Sequence, residues 1–467
     1  MTRFTFPPLL LLMAVAWSNP ARVKGAEHEV GPGKPLRRIG DVPWESLAPG
    51  DRVLIHWREQ PYAEKWVICR QGTAEQPIRV IGVPGPEGQL PVIDGRDATT
   101  REALNFWNEE RGVIKIGGAS RPADTMPAHV VIENLEVRSG RPPYSFTGRH
   151  GKGRYSKNAA ALYVEKGQHV TIRGCVLHDS GNGLFVGPQS GDVLVESCYI
   201  HGNGIEGSAY EHNSYTSAVG IVFQGNHYGP LREGCIGNNL KDRSAGLVVR
   251  YNWIEGGNRQ LDLVDATDKE DYRDDPRYRR TFVYGNVLVE HDDEGNSQIV
   301  HYGGDSGREE WYRHGTLYFY HNTVVSYRRG TTTLFRLSSG KEHADCRNNI
   351  LYVTAPGRHL ALMTSAGTLD LEANWLKDGW RPSHSPFRGT ISEVDGPPAG
   401  TAPGFRNLDA KDFRLTAPSS CIDAGEDLHP DVPPEHRVLR QYVPDQRTEP
   451  RSQVGKPDLG AFEFTAR

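Results

Sequence analysis

The chain has 467 residues, 37% apolar and 24% charged, which suffices for one large core or two smaller ones, and its formal net charge of −4 excludes the broad basic field of a nucleic-acid binder. Its 52 glycines and 32 prolines against 4 methionines exclude a protein of long helices and point to a turn-rich, all-β chain. The six cysteines, Cys69, Cys175, Cys198, Cys235, Cys346 and Cys421, lack Cys-x-x-Cys spacing, so neither a zinc site nor a disulfide framework is expected.

In chain order, residues 1–16, MTRFTFPPLLLLMAVA, place Arg3 before an apolar run too short for a bilayer and end in Ala14-Val15-Ala16. This reads as a secretory signal, with residues 1–26 as signal peptide and leader, cleavage open between Ala16 and the region of Ala26, and a secreted or periplasmic mature protein. No other stretch has the length and apolarity of a membrane span. Segment 46–85 alternates apolar and polar residues with Pro-Gly punctuation, and PVIDG at 91–95 closes a further strand.

A repeat follows. VVIENLEVRSG (130–140), VTIRGCVLHDSG (170–181) and VLVESCYIHGNG (193–204) share a strand, a marker residue (Asn134, Cys175, Cys198) and a Gly-ended turn. The marker recurs at Asn226, Asn252, Asn286, Asn322, Asn349 and Asn374, with successive steps from Cys175 of 23, 28, 26, 34, 36, 27 and 25 residues. Repeats of this size with two or three short strands match the coils of a parallel β-helix, whose apolar faces are buried only by stacking. Asparagines at one bend are expected to stack their amides along the solenoid, and Cys175 and Cys198 to be packed members of that column. The predicted fold is all-β, a single-stranded right-handed parallel β-helix with inserted loops over 27–425, and an irregular segment 426–467 packing on it.

Two features stand out from this frame. The step from 134 to 175 carries RPPYSFTGRHGKGRYSKN (141–158), whose Arg149, Lys152 and Arg154 make a candidate clamp for an acidic glycan. Second, the strand preceding each marker changes character: ALYV (161–164) and GLFV (183–186) give way to HNSY (212–215), LKDR (240–243), QLDLVD (260–265), IVHY (299–302) and LFRL (334–337). Alternation places Lys241 and Arg243 on one face and Asn213 with Tyr215 on one face. A stripe of Asn213, Tyr215, Lys241, Arg243, Asp262 and His301 is expected, with Asn239, Arg259 and Arg336 beside it, along which a linear polymer can lie.

The opening PGDRVLI…GT…QPIRVIG, the marked coils and the closing DFRLTAPSSCIDAG…PDLGAFEF resemble, over nearly the whole chain, secreted bacterial right-handed parallel β-helix proteins of the polysaccharide-lyase type, the chondroitinase B and alginate lyase group in particular. The resemblance implies a pectate-lyase-like solenoid. In that group the catalytic pair is a Lys and an Arg on successive coils, and calcium is held by an Asn and two Glu. Lys241 matches the Lys; one coil later stand Arg259 and Asp262, and no corresponding Glu pair is evident. Calcium is thus the cofactor the resemblance implies, without an evident set of ligands.

A cation-rich stripe suits β-elimination from an acidic, uronic-acid-containing polysaccharide, which requires neutralising the carboxylate, removing the C5 proton and protonating the leaving oxygen. Lys241 is the candidate base, its neutral form favoured by the cationic neighbour Arg243. Arg243, aided by Asn213 or Asn239, holds the carboxylate, and Tyr215 or His212 supplies the proton. The alternatives are a β-helix glycoside hydrolase using Asp262, Asp265, Asp292 and Asp293, a uronate epimerase, and a non-catalytic carbohydrate-binding protein. A monomer is expected.

Overall fold

A computed structural model describes residues 1, 25–292, 295–394 and 398–465. Residues 2–16 of the expected signal and Asp293 lie outside the described residues. Among the described residues no helix is long and apolar enough to cross a membrane.

Each coil contributes short strands that pair in parallel with the coils before and after. One face is built from Gly112–Ile116, the first parts of Ala160–Arg173, Asn182–Glu196 and Ser214–Gln224, then Leu240–Asp242, Leu261–Leu263, Gln298–Tyr302, Thr332–Leu337 and Leu360–Ser365. A second face runs through Ala245–Arg250, Arg280–Tyr284, Thr316–Tyr320 and His343–Arg347. The third is an eleven-stranded sheet from Val92–Asp94 to Ala399–Gly400. This is the expected all-β, right-handed parallel β-helix. Inward residues form one continuous core down its axis, including Ile114, Leu162, Leu184, Leu240, Leu261, Val300 and Phe335.

The asparagine column is continuous. The Nδ2 atoms of Asn226, Asn252, Asn286, Asn322 and Asn349 each donate to the Oδ1 of the next member at 2.9, 2.9, 3.0, 3.1 and 2.9 Å, ending on Asn374. Each Oδ1 also accepts a backbone N–H from the coil before, so the bend's donors are satisfied in the dry interior. Cys198 continues the column, its N–H donating to Asn226 Oδ1 at 2.9 Å, and both Cys175 and Cys198 are buried free thiols. Asn134 is a correction. It sits at φ +59, one position before the column, which Leu135 occupies because Glu136 pairs with Val176.

The stacked coils end at Thr390–Val394 and Ala399–Gly400, earlier than residue 425. Two antiparallel hairpins follow, Phe405–Asn407 with Asp412–Leu415 and Arg440–Val443 with Arg447–Pro450. They lie on the outside of the helix: Phe413 of the first stacks on Trp253 at 5.5 Å, and Tyr442 of the second packs on the same indole at 5.9 Å.

Candidate active site

The pleat puts one outward residue per coil into register on the first face. Successive partners are Lys115, Tyr163, Phe185, Tyr215, Lys241, Asp262, His301 and Arg336, spaced by about 4.8 Å per coil. After Lys115 the first half is aromatic: Phe185 and Tyr215 stack at 5.2 Å and 3°, and Arg111 lies 4.7 Å above the Phe185 ring. The second half is ionic. That change of chemistry along one row is why HNSY and LKDR are so crowded.

At the junction, Lys241 Nζ donates to Asp262 Oδ2 at 2.5 Å and to Asp305 Oδ2 at 2.6 Å. Arg243 lies just past its strand and spreads its guanidinium across the same space. Its Nε donates to the Tyr215 hydroxyl at 2.9 Å, Nη1 to the Asp265 carbonyl at 2.6 Å, and Nη2 to Asp305 Oδ1 at 2.9 Å. Asp262 also accepts from Asn238 Nδ2 at 2.7 Å and faces His301 Nδ1 at 2.8 Å. Burial opposes its ionisation, but Lys241 and His301 outweigh burial and hold the carboxyl well below the usual range. His301 Nε2 in turn meets Ser338 Oγ at 2.8 Å. That hydroxyl is also within hydrogen-bond reach of Gly304 N and O at 2.9 Å, so it is a strut for the loop after His301.

Beneath the cations lies a buried pair. Asp242 points inward, accepting from the Thr216 and Ser244 hydroxyls at 2.7 and 2.8 Å. Arg313, fully buried, donates to Asp242 Oδ1 at 3.3 Å and to the Ser244 carbonyl at 2.9 Å. Lys241 and Arg243 therefore stand on either side of a residue locked from below.

Several expected residues fall elsewhere. Asn213 and Asn239 are fully buried and form a second amide ladder at another bend, Asn203 to Asn213 at 2.9 Å and Asn213 to Asn239 at 2.7 Å; they face the interior, not the groove. His212 is 2% exposed, and its Nδ1 accepts the Asn238 N–H at 2.9 Å. Burial, with Lys241 nearby, pushes its imidazole down to about 3, so it stays neutral and is unsuited to delivering a proton. The expected setting of Lys241 is also corrected, since two carboxylates grip its ammonium and Arg243 turns to Tyr215 and Asp305. Arg259 donates to Gln298 Oε1 at 2.7 Å and stands 3.9 Å from Asp262, while Arg336 takes the coil after His301, partly exposed.

The basic insertion is an ordered hairpin, Ser145–Gly148 with Gly151–Arg154, seated through buried Phe146 and Tyr155. Arg149 donates to the Glu102 carbonyl at 3.2 Å. Lys152 and Arg154 line a cavity of about 570 Å³ with Trp107, Glu109 and Glu110. The neighbouring cavity, about 640 Å³, is lined by Arg111, Lys157, Phe185, Tyr210, Tyr215 and Asp268. Tyr215 thus borders open space on one side and Arg243 on the other. Burial pushes its phenol up despite Arg243, and Asp268 Oδ2, 3.2 Å away, adds to the rise, so it keeps its proton at neutral pH.

Calcium does not fit this donor set. Asp262 and Asp305 converge on the Lys241 ammonium with Arg243 alongside, and a divalent cation there would meet two positive charges. Among the described residues no three His, Cys, Asp or Glu side chains come together in a way that could hold a metal.

Sequence reading missed Asp305, Ser338 and Arg313. GGDSG (303–307) directly after the site strand IVHY is the one signal that could have flagged Asp305, since a glycine-rich turn at the end of a functional strand brings backbone close to the site.

The chain matches the family model described as "Right handed beta helix region" over residues 105–267. No curated protein matches. Among solved structures, a pectate lyase is similar at 14% identity and TM-score 0.52, covering 95% of this chain and 97% of that one. An alginate lyase from Paenibacillus sp. str. FPU-7 is 12% identical with TM-score 0.41, over 74% and 93% of the two chains. A lacto-N-biosidase from Eubacterium ramulus is 13% identical with TM-score 0.43, over 81% and 68%. At these identities the first likeness bears on fold alone, and the other two carry no argument.

Proposed function

We propose that the protein cleaves a uronic-acid-containing polysaccharide by β-elimination. The observation that carries this reading is the convergence of the Lys241 ammonium and the Arg243 guanidinium on one carboxylate, with the Tyr215 hydroxyl 2.9 Å from Arg243 Nε. Two cations on one carboxylate are what the reaction requires to make the C5 proton removable. The adjoining aromatic row, whose Phe185 and Tyr215 rings are stacked on each other, adds apolar ring edges beside the cations.

Proton traffic is assigned to Tyr215, because the Lys241 setting is that of an ammonium. The Tyr215 oxygen accepts from Arg243 and donates to exposed Asp268 at 3.2 Å. As the C5–H bond breaks, its proton passes to the Tyr215 oxygen and the phenolic proton moves to Asp268. The C4–O bond then breaks, the C4=C5 double bond forms, and Tyr215 protonates the leaving oxygen and recovers a proton from Asp268. Lys241 and Arg243 hold the carboxylate throughout.

The test is incubation with a panel of uronate polymers, pectate, alginate, glucuronan and chondroitin among them, with ultraviolet absorbance recorded. The reading expects absorbance from the new C4=C5 bond with at least one polymer. New reducing ends without that absorbance would indicate hydrolysis, and exchange of the C5 hydrogen with deuterated solvent without chain cleavage would indicate epimerisation; either contradicts it.

A further inference from the structure

We infer that Asp305 is a built-in occupant of the carboxylate site, filling in the resting protein the place that Lys241 and Arg243 offer to a substrate uronate, so that the 303–308 loop must lift for the polymer to bind. The inference rests on the proposed elimination for the identity of the ligand. It stands on three features of its own.

The first is contact geometry. Asp305 Oδ2 lies 2.6 Å from Lys241 Nζ, and its two oxygens lie 2.9 and 3.1 Å from Arg243 Nη2, the contacts a bound carboxylate makes with a lysine–arginine pair. The second is position. Lys241 and Arg243 are each 7% exposed, whereas Asp305 sits on a stretch exposed from 305 to 310 and reaches them only with the tip of its side chain. Asp262, the other carboxylate on Lys241, differs in being a strand residue 2% exposed and held by Asn238 and His301. Of the two, Asp305 is the one free to leave.

The third is the loop. Gly303 at φ +128 and Gly307 at φ +79 bracket Asp305 with residues that tolerate large backbone changes. Fully buried Tyr302 and Arg313 fix the chain beyond either end. Besides the contacts to the two cations, hydrogen bonds from Gly304 N to Ser338 Oγ at 2.9 Å and from Asp305 N to Asp265 Oδ1 at 2.8 Å hold the loop down.

Replacement by a uronate exchanges one carboxylate for another and preserves the charge balance over two nearly buried cations, which avoids the penalty of leaving them unpaired. A tethered competitor acts at an effective concentration on the order of millimolar. The device therefore selects a polymer, which gains further contacts along the aromatic row, over a lone uronic acid.

The test is calorimetric titration of the wild type, Asp305→Asn and Asp305→Ser with D-galacturonate and D-glucuronate, and with galactose and glucose as neutral controls. Serine is too short to reach either cation, so it repeats the test without the amide oxygen of asparagine, which is itself an acceptor. The expected result is at least tenfold tighter binding of one uronate in both variants, with no gain for the neutral sugars. Unchanged, weaker or undetectable uronate binding in both variants overturns the inference. The absorbance assay is read separately: tighter uronate binding without unsaturated product would remove the lyase reading and leave the latch, while unsaturated product from the wild type without a binding gain in the variants would do the reverse.

Discussion

Among single residues, neutralisation of the carboxylate and proton transfer fall to different side chains. Tyr215→Phe removes the hydroxyl that bridges Arg243 and Asp268, and kcat is expected to fall about 10²–10⁴-fold with KM little changed, because the ring and its stack on Phe185 persist. Lys241→Ala removes half of the carboxylate receptor and is expected to lower kcat by about 10²–10³-fold. Lys241→Arg keeps the charge and should retain more activity than the alanine variant; equal losses would return the base role to Lys241. Much of this row was legible in the sequence, because strict alternation forces Tyr215, Lys241, Asp262, His301 and Arg336 outward together. Asn213 was misplaced because the bend precedes Ser214, so its amide turns into the solenoid before the alternation begins. Arg313 carried no local signal and Asp305 only its glycine-rich turn, because both arrive from a loop whose contacts lie 71 and 64 residues away in sequence.

At the scale of elements, the asparagine ladder and the Asp242–Arg313 pair set where the outward row stands. Asn286 accepts from Asn252 N and Nδ2 at 3.0 and 2.9 Å and donates to Val249 O and Asn322 Oδ1 at 2.9 and 3.0 Å. Asn286→Ala strands these partners in a dry interior, at about 1–3 kcal/mol for each group left unsatisfied, so a loss of at least about 2 kcal/mol is expected in denaturant unfolding. Breaking the Asp242 pair with Arg313→Met leaves a buried carboxylate uncompensated and should cost about 3–5 kcal/mol, with the urea midpoint as the readout. The ladder's existence was legible from the spacing of asparagines, but its phase was not at Asn134. Asparagine suits both the left-handed residue before the column and the column itself, as Asn348 at φ +59 followed by Asn349 illustrates, so residue type alone does not separate the two positions.

At the scale of the whole molecule, burial of histidines sets the response to acid. Burial, with Lys241 nearby, lowers His212 to about 3; burial, with His178 nearby, lowers His201 to about 4. The unfolded chain, titrating near about 6.5, therefore takes up these protons first. Stability is full above that value and declines as pH falls toward the folded values. Asp262, held below the usual carboxylate range, adds a further loss below about 3.9; Asp242 and Glu463, raised by burial, act in the opposite sense. The unfolding midpoint is expected to drop between about pH 7 and about pH 5, and His212→Asn should flatten that drop. The row of aromatic and ionic side chains runs the length of a polymer site, and product analysis in heavy-oxygen water distinguishes elimination there from hydrolysis. Mass spectrometry of oligosaccharides released from a uronate polymer should show unsaturated ends and no heavy oxygen at the new termini; saturated products carrying one heavy oxygen each would contradict the account.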